Sequence, residues 1–364
     1  MIRRLLPLAT ILVVAVTAPA YAAHSFVLTR AGSKPNVAVD RGGTGHFVWD
    51  QRAADGGSVT HYCRVLRTGR GCAAGSERTF RPTQATDPAN NTDFDGPRVL
   101  LAPDGRVIVL TYRCCAIDGP NFHSAALFRY ISADGGQNFD AGAIIGTTDM
   151  DDAAFGPGDA VTTIGTGPSY TGAQAAPLAG FNEVEAQLAP GVIGVDKTVS
   201  VTGAQTVAAI GNGRTFTIGV ANGDPSATAS WAFGSTAPGG DLALAAGPKG
   251  TFLLVLSGRR YVLRRVDTTK VRLGRTLALS SRSFPIFGTA SADPAGRIHA
   301  AWVQGRALRY RRTSKSAARL ERAHRLVTGG SFFNLSVGAG ANGRGWVAWD
   351  SNGPNKTVRA IVAP

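Results

Sequence analysis

The sequence predicts an all-β chain folded as a β-propeller of four-stranded blades, seven of them, with six as the alternative count. Composition is the first reason: 46 of 364 residues are glycine, only 17% are charged, and no long helical period runs anywhere in the chain. Such a chain suits many short strands joined by tight turns. An internal repeat is the second, since self-similarity at a fixed period marks a repeat architecture. The third is the pair of chain ends, each of which supplies strand material that the other lacks.

The chain opens with Arg3 and Arg4, an apolar run from Leu5 to Val16, and small residues ending Ala20-Tyr21-Ala22. That order is a secretory signal, and an apolar core of about twelve residues broken by Pro7 falls short of the ~20 residues that a spanning helix needs. The expectation is a signal peptide over 1–22, cleaved after Ala22. A single propeller domain over 23–364 remains, secreted, with no transmembrane span and monomeric.

The repeat is clearest in Asn36–Asp50, Val99–Tyr112, Ala290–Trp302 and Leu335–Trp349. Each is a short apolar run, a turn rich in Gly, Asp, Asn or Pro, and a second run ending in an aromatic. Glycine at the tip supplies the positive φ of a tight hairpin. Weaker copies are Leu242–Leu256, with its turn at Pro248-Lys-Gly250, and Thr206–Val220, with its turn at Gly211-Asn-Gly213. Taking Gly43, Gly105, Gly213, Gly250, Gly296 and Gly343 as equivalent turn positions leaves a double gap, which Val161–Tyr170 with Gly167 as its turn would fill. Further strands follow each hairpin, at His61–Leu66, Ser124–Ile131, Tyr261–Val266 and Arg306–Arg312. The last unit has only Thr357–Val362 after Trp349, so His24–Thr29 is expected to close the ring as its outer strand.

Four cysteines in an exported chain favour disulfides over metal ligation. Cys63 and Cys72 flank the turn-like Thr68-Gly69-Arg70-Gly71, where a bridge across one hairpin is easy. Cys114 and Cys115 are then a vicinal disulfide or two thiols, because neighbouring strand residues point to opposite faces. The net charge of +14 is nearly all arginine, densest over Arg259–Arg275 and Arg306–Arg325. With only Tyr261 and Tyr310 there to stack bases, these stretches are expected to be solvent faces of outer strands that resist edge pairing, and no nucleic acid partner is expected.

At Ser132-Ala-Asp134-Gly-Gly136-Gln-Asn-Phe139 the chain matches the pattern Ser-x-Asp-x-Gly-x-x-aromatic, in a turn after Leu127–Ile131. Its aspartate can accept backbone N–H bonds within the turn while the aromatic packs beneath. This Asp box resembles the bacterial neuraminidase repeat of sialidases and related secreted propellers, and the blade rhythm extends the likeness over most of the chain. The resemblance implies that Ser132, Asp134, Gly136 and Phe139 are structural and lie on the face opposite the substrate pocket. It also implies a catalytic set of three arginines, a tyrosine nucleophile with a glutamate beside it, and an aspartate acid. From that set the chain departs: Phe80-Arg81-Pro82 is a partial echo of Phe/Tyr-Arg-Ile-Pro, and glutamate occurs only at 77, 183, 185 and 321.

Strand direction places the first turns with the Asp box on a lower face and the other connections on an upper one, where propeller ligand sites converge. Two upper connections are long and acidic in a basic protein: Arg81–Pro97, with Asp87, Asp93 and Asp95, and Thr147–Gly158, with Asp149, Asp151 and Asp152. Long loops in a compact repeat are often functional. The candidate site joins Asp93, Asp95, Asp118, Asp151 and Asp152 as ligand-binding residues with Asp50, Arg98, Tyr112 and Arg113 as candidates for catalysis. Carboxylates there could bind Ca²⁺ or serve as acid and base on a glycosidic bond, whereas turn capping by Asp is the plainer role. The six histidines lack metal-ligand spacing, and His46 and His299 are expected to be packed within inner hairpins. The function expected is non-catalytic recognition of a carbohydrate or cell-surface ligand on the loop-rich face. A sialidase-type glycoside hydrolase and an envelope scaffold binding protein or polyanion partners are the alternatives.

Overall fold

The computed structural model describes residues 24–54, 58–81, 96–113, 117–118, 121–122, 126–146, 149–166, 170–182, 184–190, 196–351 and 356–364. Seven antiparallel blades stand in a ring. Blade one pairs Ser33–Val39, Gly45–Arg52, Ser58–Val65 and Arg78–Phe80 in that order, from the channel outward. Blade two pairs Arg98–Leu101, Val107–Arg113, Ala126–Ser132 and Ala143–Gly146. Blade three is Asp152–Gly156, Ala160–Thr166, Tyr170–Pro177 and Ala186–Pro190. Blade four is Asp196–Thr202, Gln205–Gly211, Thr215–Asn222 and Trp231–Phe233, with Ala237–Pro238 added to its third strand. Blade five comprises Gly240–Gly247, Gly250–Ser257, Arg260–Asp267 and Arg272–Ala278. Blade six comprises Ile286–Ala292, Ile298–Gln304, Ala307–Arg312 and His324–Thr328.

Blade seven is made from both ends of the chain. Phe333–Ala339, Gly345–Asp350 and Val358–Ala363 are joined by Phe26–Thr29, with Phe26 opposite Ala360. The expected closure of the ring is therefore present. Phe26 and Phe47 both meet the Trp346 indole edge-on, at 6.0 and 5.6 Å, so the closing strand is clamped to blade one by aromatics as well as by its ladder.

Blades one, two, five, six and seven turn where the glycines predict, at Gly43, Gly105, Gly250, Gly296 and Gly343, all with positive φ. Blades three and four do not. Val161–Tyr170 spans the second and third strands of blade three, and the first turn lies earlier, at Gly158 (φ +69°) and Asp159 (φ +57°). Likewise Gly213 turns the second strand of blade four into the third, and Gly203 (φ +60°) makes its first turn. In blade four both inner connections are tight, so either glycine turn satisfies the same local pattern, and Gly167 of blade three lies outside the described residues.

Apolar residues alternate along the strands and fill the wedges between blades. Leu110, Tyr112, Met150, Ala153 and Val161 fill the wedge between blades two and three, and Tyr261, Leu263 and Trp302 that between five and six. At the lower end two hairpins repeat one polar device. Asp40 accepts from the Thr44 N–H at 2.8 Å and faces His46, whose other ring nitrogen bonds the Tyr62 hydroxyl at 2.8 Å. Asp293, His299 and Tyr310 repeat it in blade six. His46 and His299 are buried in these hairpins.

Ser132 lies opposite Val107, beside the first turn of blade two, so the Ser132–Phe139 turn is on the same lower end. Ser132 Oγ donates to Asp134 Oδ1 and accepts from the Gly136 N–H, both at 2.7 Å. Asp134 Oδ1 also accepts from the Gln137 and Asn138 N–H groups at 2.9 Å, and these bonds hold its carboxyl far below the usual range. Phe139 packs edge-on to Tyr62 and Phe80 of blade one. A Cβ at Gly136 (φ +84°) would fall 1.7 Å from the Tyr62 hydroxyl, so only glycine fits. Ser132 and Asp134 thus build the turn, and Gly136 and Phe139 pack it against blade one. Cys63 and Cys72 are bonded, Cα to Cα 5.5 Å, tying the third strand of blade one to the connection that follows it.

Candidate functional site

The innermost strands begin at the upper end and line a central cavity of about 740 Å³. Its mouth falls into two arcs. In blades one, five, six and seven the second residue of the innermost strand takes a left-handed conformation: Lys34 (φ +53°), Asp241 (+50°), Phe287 (+54°) and Asn334 (+44°). Each sits at a shift of register against the second strand. Gly96 (φ +81°) precedes Pro97 as Lys34 precedes Pro35, although the first strand of blade two then pairs without a shift of register. Such conformations persist in non-glycine residues only where surrounding bonds over-determine them. Those bonds come from two carboxylates. Asp350, at the end of the second strand of blade seven, accepts from the Lys34 backbone N–H and the Asn334 amide, both at 2.8 Å. Asp241 accepts from the Tyr261 hydroxyl and from the Gly288 N–H, the latter at 3.1 Å, while its own N–H donates to Asp196 at 3.1 Å. Burial raises the Asp241 carboxyl above the ordinary carboxylate range, and Tyr261 beneath it is driven up by burial and by that charge. Tyr261 is fully buried, and this pair joins blades four to six.

In blades three and four the innermost strands start regularly and the mouth is built from ions. Lys197 Nζ lies 2.6 Å from Asp151 Oδ2 and also donates to Thr166 Oγ1. Arg98, reaching in from blade two, donates to the Asp151 carbonyl and stands 3.5 Å from Asp152 Oδ1. Asp152 Oδ2 accepts from Thr198 Oγ1 at 2.7 Å and from the Val199 N–H at 3.1 Å. Sideways bonds of this kind recur around the channel: Asn36 accepts from the Val99 N–H, Thr198 from Leu244 and Ser336 from Val37. They lock neighbouring innermost strands together.

The residues singled out in the sequence separate in space. Arg98, Asp151 and Asp152 meet at the channel mouth. Asp50 and Arg113 instead belong to a buried knot between blades one and two, in which the Thr60 hydroxyl donates to Asp50 at 2.8 Å and accepts from Arg113 at 3.0 Å. Tyr112 is packed in the core between blades two and three. Asp118 pairs with Asn121 in a short hairpin between the second and third strands of blade two. Asp87, Asp93, Asp95, Cys114, Cys115 and the 1–22 segment lie outside the described residues.

One acidic connection is not the loop expected. Asp152–Gly156 of Thr147–Gly158 is the innermost strand of blade three, so Asp151 and Asp152 stand at the channel rather than in a solvated rim. Among the described residues no three acidic, histidine or cysteine side chains gather as a metal site, and one arginine, Arg98, lines the channel beside Lys34 and Lys197. Lys34, Lys197, Asn334 and Asp350 were invisible in the local patterns. Aligning the blade ends Trp49-Asp50 and Trp349-Asp350 is the signal that would have drawn attention to Asp350.

No family model matches the chain, and no curated protein matches it. Solved structures do share its fold. A Hadza microbial sialidase superposes with a TM-score of 0.51 at 13% identity, over 92% of this chain and 65% of its own length. An α-L-arabinofuranosidase from Fusarium graminearum, in a mutant form with an iminosugar inhibitor, gives 0.53 at 8% identity, over 94% and 98%. A protein of unknown function from Dyadobacter fermentans gives 0.50 at 12%, over 94% and 99%. The chain is thus similar in fold to sialidase and arabinofuranosidase propellers.

Proposed function

We propose that the protein is an exported recognition propeller that binds a carbohydrate at the upper mouth of its channel without cleaving it. The observation that carries this is the ionic arc. Asp151 and Asp152 are committed to Lys197, Arg98, Thr198 and the Val199 N–H, an arrangement suited to fixed hydrogen bonding of hydroxyls rather than to proton transfer. A cavity of about 740 Å³ is of the size that holds a small saccharide. The leader over 1–22 and the Cys63–Cys72 bond suit an oxidising compartment outside the cytoplasm. The sialidase and arabinofuranosidase neighbours favour a sugar ligand, and also the competing reading of a glycoside hydrolase.

A glycan array with the wild type and the Arg98→Ala and Asp151→Asn variants, run beside a panel of fluorogenic sialosides, arabinofuranosides and other glycosides, separates the two. Recognition predicts saturable glycan binding that weakens about tenfold or more in either variant, roughly one lost charge-assisted hydrogen bond, with no turnover. Turnover that disappears in Asp151→Asn or Asp152→Asn would establish the hydrolase instead.

A further inference from the structure

Some arginines in this basic protein are answered by a carboxylate. Arg106 meets Asp104 and Asp159, Arg129 meets Asp140, Arg297 meets Asp293, and Arg312 meets Glu321. One end of blade five gathers several that are not. A cleft of about 520 Å³, apart from the channel, is lined by Arg259, Arg260, Arg264 and Arg282. Among the described residues none of the four forms an ion pair; of this blade's two acids, Asp267 is taken by Arg272 at the opposite end of the strand and Asp241 is bonded to Tyr261 at the channel. Arg264 spends two nitrogens on the Leu273 and Gly274 carbonyls at 3.3 to 3.4 Å, and Arg259 lies 4.4 Å above the Phe284 ring. The floor is apolar, from Phe216 and Pro238 of blade four with Val255 and Val262 of blade five. Like charges gathered without counter-charge repel one another, so the cleft is arranged for an anion that the chain does not supply.

We propose that this cleft is a second binding site, for a saccharide bearing sulfate esters. Planar guanidinium forks match the oxygens of a sulfate bidentately, and the apolar floor suits the C–H face of a pyranose ring. A nucleic acid would need open ring faces for its bases. The exposed aromatic beside the cleft, Phe284, is already capped by Arg259, and the floor offers no second open ring. The site is independent of the channel mouth, so its test uses different residues.

Binding of a heparin-derived hexasaccharide, its desulfated counterpart and a single-stranded oligonucleotide of matched charge is measured by calorimetry across a salt series. The wild type is expected to prefer the sulfated hexasaccharide over both. The Arg260→Gln/Arg282→Gln pair is expected to weaken that binding about tenfold or more and to lower the salt slope by about 1 to 2. Arg98→Ala at the channel, and the Arg41→Gln/Arg344→Gln pair at the lower turns, should leave it within about twofold, with matching thermal melts showing that every variant folds. Equal binding of the oligonucleotide or of the desulfated sugar overturns the proposal. So does an equal loss from the lower-face pair, which would make the attraction one of net charge alone.

Discussion

The two arcs of the channel mouth solve one problem by different means. In blades five, six, seven and one the rim is shaped by backbone: left-handed residues at a register shift, held by carboxylates that accept main-chain and amide N–H bonds. In blades three and four the backbone is regular and side-chain ions shape the rim. A bulged rim resists change because its geometry is over-determined. An ionic rim presents charge at fixed places, and there the candidate ligand contacts gather.

Asp151→Ala tests the ionic arc most severely, since it leaves the Lys197 ammonium, whose side chain is 2% exposed, without its carboxylate. The expected loss is about 3 kcal/mol in urea melts, and Lys197→Met added to Asp151→Ala should recover most of it. Strictly additive costs would mean that the two residues are not a unit. In the bulged arc Asp350→Ala strands the Lys34 N–H and the Asn334 amide, for about 2 kcal/mol, while Asp350→Asn keeps an acceptor and should lose clearly less. If both substitutions cost the same, the carboxylate is not what holds the bulges. Gly96→Ala introduces a Cβ at φ +81° and 2.7 Å from the Lys34 Cβ, and should cost about 1 to 2 kcal/mol, whereas Ala at Met150, the matching start of blade three, loses packing but meets no backbone penalty.

The smallest effect is one of pH, from the lower end of blade six. Burial lowers the His299 pKa against the opposing pull of Asp293, and Asp293 itself, despite the upward push of burial, is held at about 2 by its bonds to His299 and Arg297. Both groups bind protons more readily in the unfolded chain, so both destabilise the fold as pH falls. The His299 share is lost as pH drops below about 6.5, and the Asp293 share only between about 4 and 2. Urea midpoints for His299→Gln should fall less steeply than the wild type between pH 7 and 5. An unchanged slope would place the proton uptake elsewhere.

Local chemistry made the ring legible. Gly43, Gly105, Gly250, Gly296 and Gly343 each sit where a hairpin demands positive φ, and the unpaired strand at 24–29 announced the closure. The frame slipped at Gly213 because blade four carries two tight turns, which look alike one blade at a time. Asp152 was read as part of a loop because aspartate is a turn residue by habit, yet here it opens a strand whose neighbour offers the Val199 N–H. Lys197 with Asp151 and Asp350 with Lys34 are contacts between blades, and no window of sequence holds both partners. Arg260 and Arg282 looked like ordinary strand-face charges. Only the cleft shows that they share a space without an acid.

The pairing of Phe26–Thr29 with Val358–Ala363 also fixes an order of events. Six blades are contiguous in the chain, but the seventh needs Phe26–Thr29 to meet Val358–Ala363, far apart in sequence. Until it does, Val358–Ala363 has an open edge of unpaired N–H and C=O groups, and any chain whose first strand is near can fill it. A newly made molecule therefore carries its own plug and, for the same reason, a socket that accepts a neighbour's.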